Sequence, residues 1–187
     1  MATLYFHIPF CKRICSYCDF YKVLVRLNAT EVWRTLMGKP TQDLHSNDIE
    51  LILRSFALLI DGNSYAPKMV NFLNAFSYKT KKFTQEENAY LENLFMSFID
   101  ACSSLGDKAF FRNNRFSKTL FESVFVAACA NAYENKTTVS KKIDPNSFEM
   151  LKDDFEFVSY LLSGSSSTDN IKGRINRAKQ LIRFIEE

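Results

Sequence analysis

Cys11, Cys15 and Cys18 stand in one eight-residue stretch, and three thiols so close together can act as one ligand set. Cysteine thiolate is the usual ligand of iron–sulfur clusters and a common one of zinc. A [4Fe-4S] cube held by only three cysteines keeps one iron open to a reactive small molecule. The same thiols could instead be unliganded, on a segment that packs its apolar side on the rest of the chain. Spacing alone leaves both readings open.

An extended element leads into these cysteines. Leu4, Phe6, Ile8 and Phe10 alternate with Tyr5, His7 and Pro9, which predicts a strand running into the cysteine loop. Left unpaired, that strand could join a second copy of the chain, so a homodimer is one expectation.

The flanks of the cysteines carry a resemblance. Tyr5, His7, Ile8, Pro9, Phe10 and Cys11, then Cys15, Tyr17, Cys18, Asp19 and Phe20, resemble the opening of oxygen-independent coproporphyrinogen III oxidases and their haem-chaperone relatives (HemN and HemW). These are radical SAM proteins. The resemblance implies Cys11, Cys15 and Cys18 as cluster ligands and S-adenosylmethionine on the fourth iron, with Phe10 and Tyr17 packed near cluster and cofactor. It further implies radical chemistry in porphyrin and haem metabolism, inside a partial or full β/α barrel with a glycine-rich turn. The rest of the chain lacks those parts. The five glycines, at 38, 62, 106, 164 and 173, are isolated, and no strand–helix alternation follows the cysteines. About 165 residues remain, fewer than the roughly 200 that such a barrel occupies.

Composition describes a folded protein. Of 187 residues 47% are hydrophobic and 24% charged, so a buried core is expected. The 18 phenylalanines each contribute roughly 1.5–3 kcal/mol when fully buried, which makes them packing residues. No apolar run approaches the roughly 20 residues of a membrane span, and the start lacks a signal-peptide pattern. Five cysteines, three of them in a cluster-type loop, fit a reducing compartment, and a cytoplasmic location is expected. Cys102 and Cys129 sit inside helical patterns and are expected as buried free thiols. The formal charge of +3 resides in residues 1–26, where Lys12, Arg13, Lys22 and Arg26 face only Asp19. The body is neutral and gives no electrostatic case for nucleic acid.

After about residue 23 the apolar period becomes helical. Thr30 opens a short helix through Val32, Trp33 and Leu36 that Gly38 and Pro40 stop. Asn47 and Glu50 predict a capping box for a helix ending at Gly62, and Met69, Phe72, Leu73 and Phe76 mark the next, with Pro67 near its start. Residues 78–83 read as a loop carrying Lys79, Lys81 and Lys82. Thr84 and Glu87 predict a second capping box on the longest helix, with Gly106 as its stop. Residues 110–116 read as a loop, and a helix follows from near Ser117. Asp144–Pro145 starts one helix through Phe148, Leu151, Phe155, Val158 and Leu162. A last helix carries Ile171, Ile175, Ala178, Ile182 and Ile185. The fold class expected is all-α: an irregular helical bundle of about seven helices, residues 25–187, behind a short extended leader, residues 1–24.

The body resembles a second family. Trp33, Arg34, Gly38, Lys39, Asp48, Glu50, Leu51, Leu53, Arg54, Phe56 and Ala57 resemble the C-terminal helical part of ParB-like, DGQQR-motif restriction proteins of the GmrSD type. Met69, Phe72, Leu73, Asn74, Phe110, Arg112, Phe116, Leu120, Phe121, Arg174 and Ile175 continue it. That family's nucleotide-dependent domain and HNH-type nuclease have no counterpart here, since the only histidines are His7 and His45. The resemblance therefore implies a scaffold or partner-binding segment, and the chain reads as composite, joined near residues 22–26. Among the polar candidates, Glu50 and Arg54 predict a structural pair four residues apart, His45 a loop position, and Asp153, Asp154 and Glu156 a solvated face. The function expected is a non-catalytic interaction module that binds a protein partner and no cofactor. The alternative is a coproporphyrinogen-oxidase-like radical SAM protein with [4Fe-4S] and S-adenosylmethionine.

Overall fold

Apolar side chains three and four residues apart draw most of the chain into helix, and capping groups decide where each helix begins. The computed structural model describes residues 19–43, 46–162 and 164–186. Helix α1 (Asp19–Ala29) turns Phe20, Val23, Leu24 and Leu27 inward. The helical period thus starts before residue 23, and the expected join falls inside α1. Helix α2 (Glu31–Met37) follows Thr30 and ends at Gly38, whose left-handed backbone (φ 62°) lets its N–H reach the Arg34 and Thr35 carbonyls. A Cβ there would also lie 2.9 Å from the Phe111 ring.

Helix α3 (Asn47–Asp61) forms without the expected capping box. Ser46 precedes it in left-handed backbone and makes no side-chain cap, while Asn47 donates to Asp43 at 3.1 Å. Helix α4 (Met69–Thr80) extends into the segment expected as loop, where Lys79 reaches Asp61 of α3 at 2.6 Å. Helix α5 (Gln85–Ala101) has the predicted capping box. Thr84 Oγ1 accepts from the Glu87 N–H at 3.1 Å, and the Glu87 carboxylate accepts from the Thr84 N–H at 2.8 Å. It gives way to a 3₁₀ turn at Cys102–Ser104, ahead of Gly106.

The expected loop at residues 110–116 is a hairpin of β1 (Phe111–Arg112) and β2 (Arg115–Phe116). Asn113 and Asn114 turn it with positive φ, which asparagine tolerates. Helix α6 (Lys118–Glu134) starts at Ser117 as read. Strand β3 (Lys142–Ile143) precedes α7 (Pro145–Asp153), whose cap is Asp144, accepting from the Asn146 and Ser147 N–H groups.

The single helix expected from residue 145 to 162 is two. Asp154 takes extended backbone and accepts from the Phe157 N–H at 2.8 Å, which opens α8 (Phe155–Leu162). Restarting the helix resets its phase. Phe157 becomes fully buried, whereas Phe155 and Leu162, expected on the inner face, are 88% and 79% exposed. Helix α9 (Thr168–Leu181) stops short of Ile185, because β4 (Phe184–Ile185) pairs antiparallel with β3.

The described residues thus form nine α-helices and four two-residue strands, an all-α bundle. The two helices beyond the sequence expectation are α1 and the second half of the split pair. Helix α6 sits at the centre, buried on nearly every side among α3, α5 and α9. Its Phe121 and Phe125 meet Phe98 edge-on at 5.6 and 5.0 Å between centroids, and Trp33 of α2 packs 5.0 Å from Phe121. Phe20 joins the same core, edge-on to Phe56 at 5.6 Å. No described helix is long and apolar enough to cross a membrane.

Candidate functional site

The residues with the clearest chemistry, Cys11, Cys15 and Cys18, lie outside the described residues together with Phe10, Tyr17, His7 and His45. Among the described residues no three His, Cys, Asp or Glu side chains are grouped to hold a metal. Cys102 and Cys129 are buried free thiols as read. Burial pushes both thiols well above their ordinary range, which leaves them protonated and poor nucleophiles.

Arg34, Asp48, Arg54 and Arg174 of the second resemblance gather into two buried clasps. In the first, Arg34 of α2 places Nη1 and Nη2 each 2.9 Å from Asp48 Oδ2 of α3. Its Nε donates to the Lys39 carbonyl, Nη1 also to Asn28 Oδ1, and Nη2 also to the Thr41 carbonyl. Those bonds use all five guanidinium N–H groups. Asp48 accepts once more, from the Asp43 N–H at 3.0 Å, and Trp33 Nε1 donates to Asn28 Oδ1. Arg34 and Asp48 therefore pin α2 and the loop after it to α3, and the Arg34 guanidinium has no N–H left for a ligand.

The second clasp centres on Glu122, fully buried on α6. Arg174 of α9, equally buried, donates to Glu122 Oε2 at 2.7 Å, to Ser123 Oγ at 3.2 Å and to the Ser165 carbonyl at 3.0 Å. Arg54 of α3 brings Nε to 2.8 Å from Glu122 Oε1 in an ion pair, and its Nη1 lies 3.8 Å from Glu50. Burial pulls the Arg174 guanidinium below its ordinary range while Glu122 pulls it back up. The Glu50–Arg54 pair exists, but Glu122 is the nearer partner. A carboxylate inside the apolar run Leu120–Ala128 was the available sign of Glu122, since a charge so placed needs a partner. Its partners lie 68 and 52 residues away, beyond what local spacing reveals.

No family model, curated protein or solved structure matches this chain.

Of the acidic group near residue 154, Asp153 and Glu156 are exposed as read and Asp154 differs. Asp154 is drawn into a bidentate pair with Arg177 of α9, at 2.8 and 2.6 Å, instead of facing solvent. The Arg177 guanidinium holds its carboxyl down at about 2. Of the three lysines at 79–82, Lys79 is bound to Asp61.

What these clasps leave open is a cavity of about 500 Å³ between α2, the C-terminal half of α5 and the turn after it. Val32, Leu36, Met96 and Ile99 make its lining mainly apolar. Glu31, Asp100, Asp107 and Lys108 are among its lining residues, and the Asp100 carboxylate is paired with Lys142 at 2.9 Å. Val32, expected on the inner face of α2, is 49% exposed here, because Trp33 takes the core position. The volume lies within the 300–1,000 Å³ typical of ligand pockets.

Proposed function

We propose that this chain is a non-catalytic helical interaction module whose cavity between α2 and α5 receives an apolar side chain of a protein partner, flanked by basic residues. The observation that carries the reading is an open, mainly apolar cavity with Glu31 and Asp107 in its lining, beside buried charges that are committed to one another. Burying a partner's leucine there would contribute roughly 1.5–3 kcal/mol, and basic flanks would orient it. Exposed Phe155 and Leu162, one heptad apart on α8, add a second apolar face. Restriction-protein ancestry fits the same reading. The residues on which that resemblance rests, among them Trp33, Arg34, Asp48, Arg54, Phe121 and Arg174, serve packing in this fold, so the ancestry would supply a scaffold.

A capped ten-residue peptide with two leucines four apart and lysine flanks tests it, against the same peptide with glutamate flanks. The lysine peptide should bind saturably to the full chain, lose about tenfold in affinity with Val32→Lys, and weaken with salt. Equal binding of both peptides, or binding indifferent to Val32→Lys, would sink the proposal.

The radical SAM reading rests on a separate observation, the spacing of Cys11, Cys15 and Cys18. Anaerobic reconstitution with iron and sulfide tests it. About four irons per chain, lost when all three cysteines become alanine, would support it; an iron-free wild-type chain would end it.

A further inference from the structure

The cavity between α2 and α5 suits an apolar side chain with positive charge beside it, and this chain carries such a segment itself. Residues 1–18, outside the described residues, alternate Leu4, Phe6, Ile8 and Phe10 ahead of Lys12 and Arg13 and contain no carboxylate side chain. A period of two is the pattern that presents apolar side chains together along one side of an extended segment.

The described fold fixes where this segment attaches and how far it reaches. Helix α1, which begins at Asp19, and then α2 lie along α5 in the direction of its chain. Phe20 meets Phe83, just before α5, edge-on at 5.7 Å, Arg26 donates to Glu92 at 2.9 Å, and Val32 and Leu36 share the cavity with Met96 and Ile99. Asp19 and Gln85 line one recess at the start of both helices. From there Met96 and Ile99 lie about 17–21 Å further along α5, at 1.5 Å per residue. The stretch from Phe10 to Asp19 spans up to about 30 Å when extended, so Phe10 reaches the cavity with slack and Ile8 follows it.

Charge points the same way. Asp100 is held by Lys142, but Glu31 and Asp107 are in no ion pair among the described residues. Set against Lys108, these two carboxylates leave the lining net negative, and the charged side chains of residues 1–18 are both cations. A short tether also holds its own segment near the cavity at an effective concentration of about 1 mM.

We propose that residues 4–13 occupy the α2–α5 cavity of their own molecule, with Ile8 and Phe10 against Val32 and Met96 and with Lys12 and Arg13 toward Glu31 and Asp107, so that a partner binds by displacing them. The inference rests on reading that cavity as a docking site and names what controls access to it. A segment with an intrinsic Kd of about 0.1 mM fills the cavity about ten to one at that effective concentration, and it lowers a competing peptide's apparent affinity about tenfold.

The full chain, ¹³C-labelled at its methionine methyls, is compared with the variant Phe6→Ser, Ile8→Ser, Phe10→Ser. The Met96 resonance should differ between the two, while that of Met150, exposed on α7, should not. Trypsin should cut after Lys12 and Arg13 about tenfold faster in Val32→Lys than in the wild type, since cleavage follows the open population. The lysine-flanked peptide should bind the triple-serine variant about tenfold more tightly than the wild type. A Met96 resonance indifferent to the three serines, or cleavage indifferent to Val32→Lys, would overturn the proposal. So would a Met96 difference that fades on dilution, which would give the cavity to the segment of a second copy, or a peptide bound equally by both chains. A Met96 difference and Val32-dependent cleavage, with the peptide bound by neither chain, would support the proposal and end only the reading of a partner in the cavity.

Discussion

Glu122 and Asn88 are both buried polar side chains on long helices of one bundle, and they have opposite fates. Glu122 is fully enclosed and its charge is met: Arg174 donates to Oε2, Arg54 Nε stands 2.8 Å from Oε1 as an ion pair without an aligned hydrogen bond, and Ser123 and the Ser165 carbonyl hold Arg174 in place. Asn88 is almost as enclosed and nothing among the described residues answers it. Burial is therefore a poor guide to function by itself. The informative quantity is whether the bonding capacity of a buried group is used up within the fold.

The largest expected effect breaks the committed side. Arg174→Met leaves Glu122 with Arg54 alone and should cost about 3–5 kcal/mol of stability in urea unfolding, because a buried carboxylate loses its nearest cation. A loss below about 1 kcal/mol would mean that solvent reaches Glu122 and that the clasp is not closed. The double change Glu122→Leu with Arg174→Met sharpens the point, since it should recover most of that loss by removing the charges together. Arg54 then keeps Glu50 as its partner.

Asn88→Leu tests the other side. It should leave the free protein unchanged or stabilise it by about 1–3 kcal/mol, since two unpaired polar atoms disappear from the interior. A clear destabilisation in the same urea titration would show that Asn88 is answered after all, and the contrast with Glu122 would fall.

The smallest effect belongs to an intermediate case. Asp154 is partly exposed and paired with Arg177, and its carboxyl sits at about 2. A carboxyl whose folded pKa lies below the ordinary value near 4 stabilises the fold above pH 4 and loses that contribution as pH falls through about 2. Asp154→Asn keeps the cap on α8 and removes the charge. It should cost no more than about 1 kcal/mol at neutral pH, a difference from wild type that vanishes between pH 4 and about 2. A difference that persists at pH 2 would place the effect in the cap instead.

The sequence is most legible where a signal and its consequence are neighbours. Thr84 with Glu87, and Asp144 before Pro145, name their helix starts because the bonds they make are three residues long or shorter. The Asn47–Glu50 pattern carries the same local signal and fails, because the helix already starts at Asn47 and the Glu50 N–H goes to the Ser46 carbonyl at 2.9 Å. Asp154 is the instructive miss. The apolar spacing ran unbroken through it, and only the pull of Arg177 together with its own bond to Phe157 showed that it divides two helices.

Of the candidate sites, the cysteine triplet is an expectation from contiguous spacing on residues outside the described ones, and Glu122 was half legible as a charge in an apolar run. Arg174 as its partner, the cavity beside Val32 and the surroundings of Asn88 were not, since each is defined by residues from separate helices. By itself the sequence determined the all-α class, most helix starts and the supply of phenylalanine for one core, because periodicity and capping act within a few residues. Tertiary structure alone decided which buried polar groups are consumed and which are left over. That depends on what stands opposite each of them, and the opposing residue is set by how the helices pack and not by its distance along the chain.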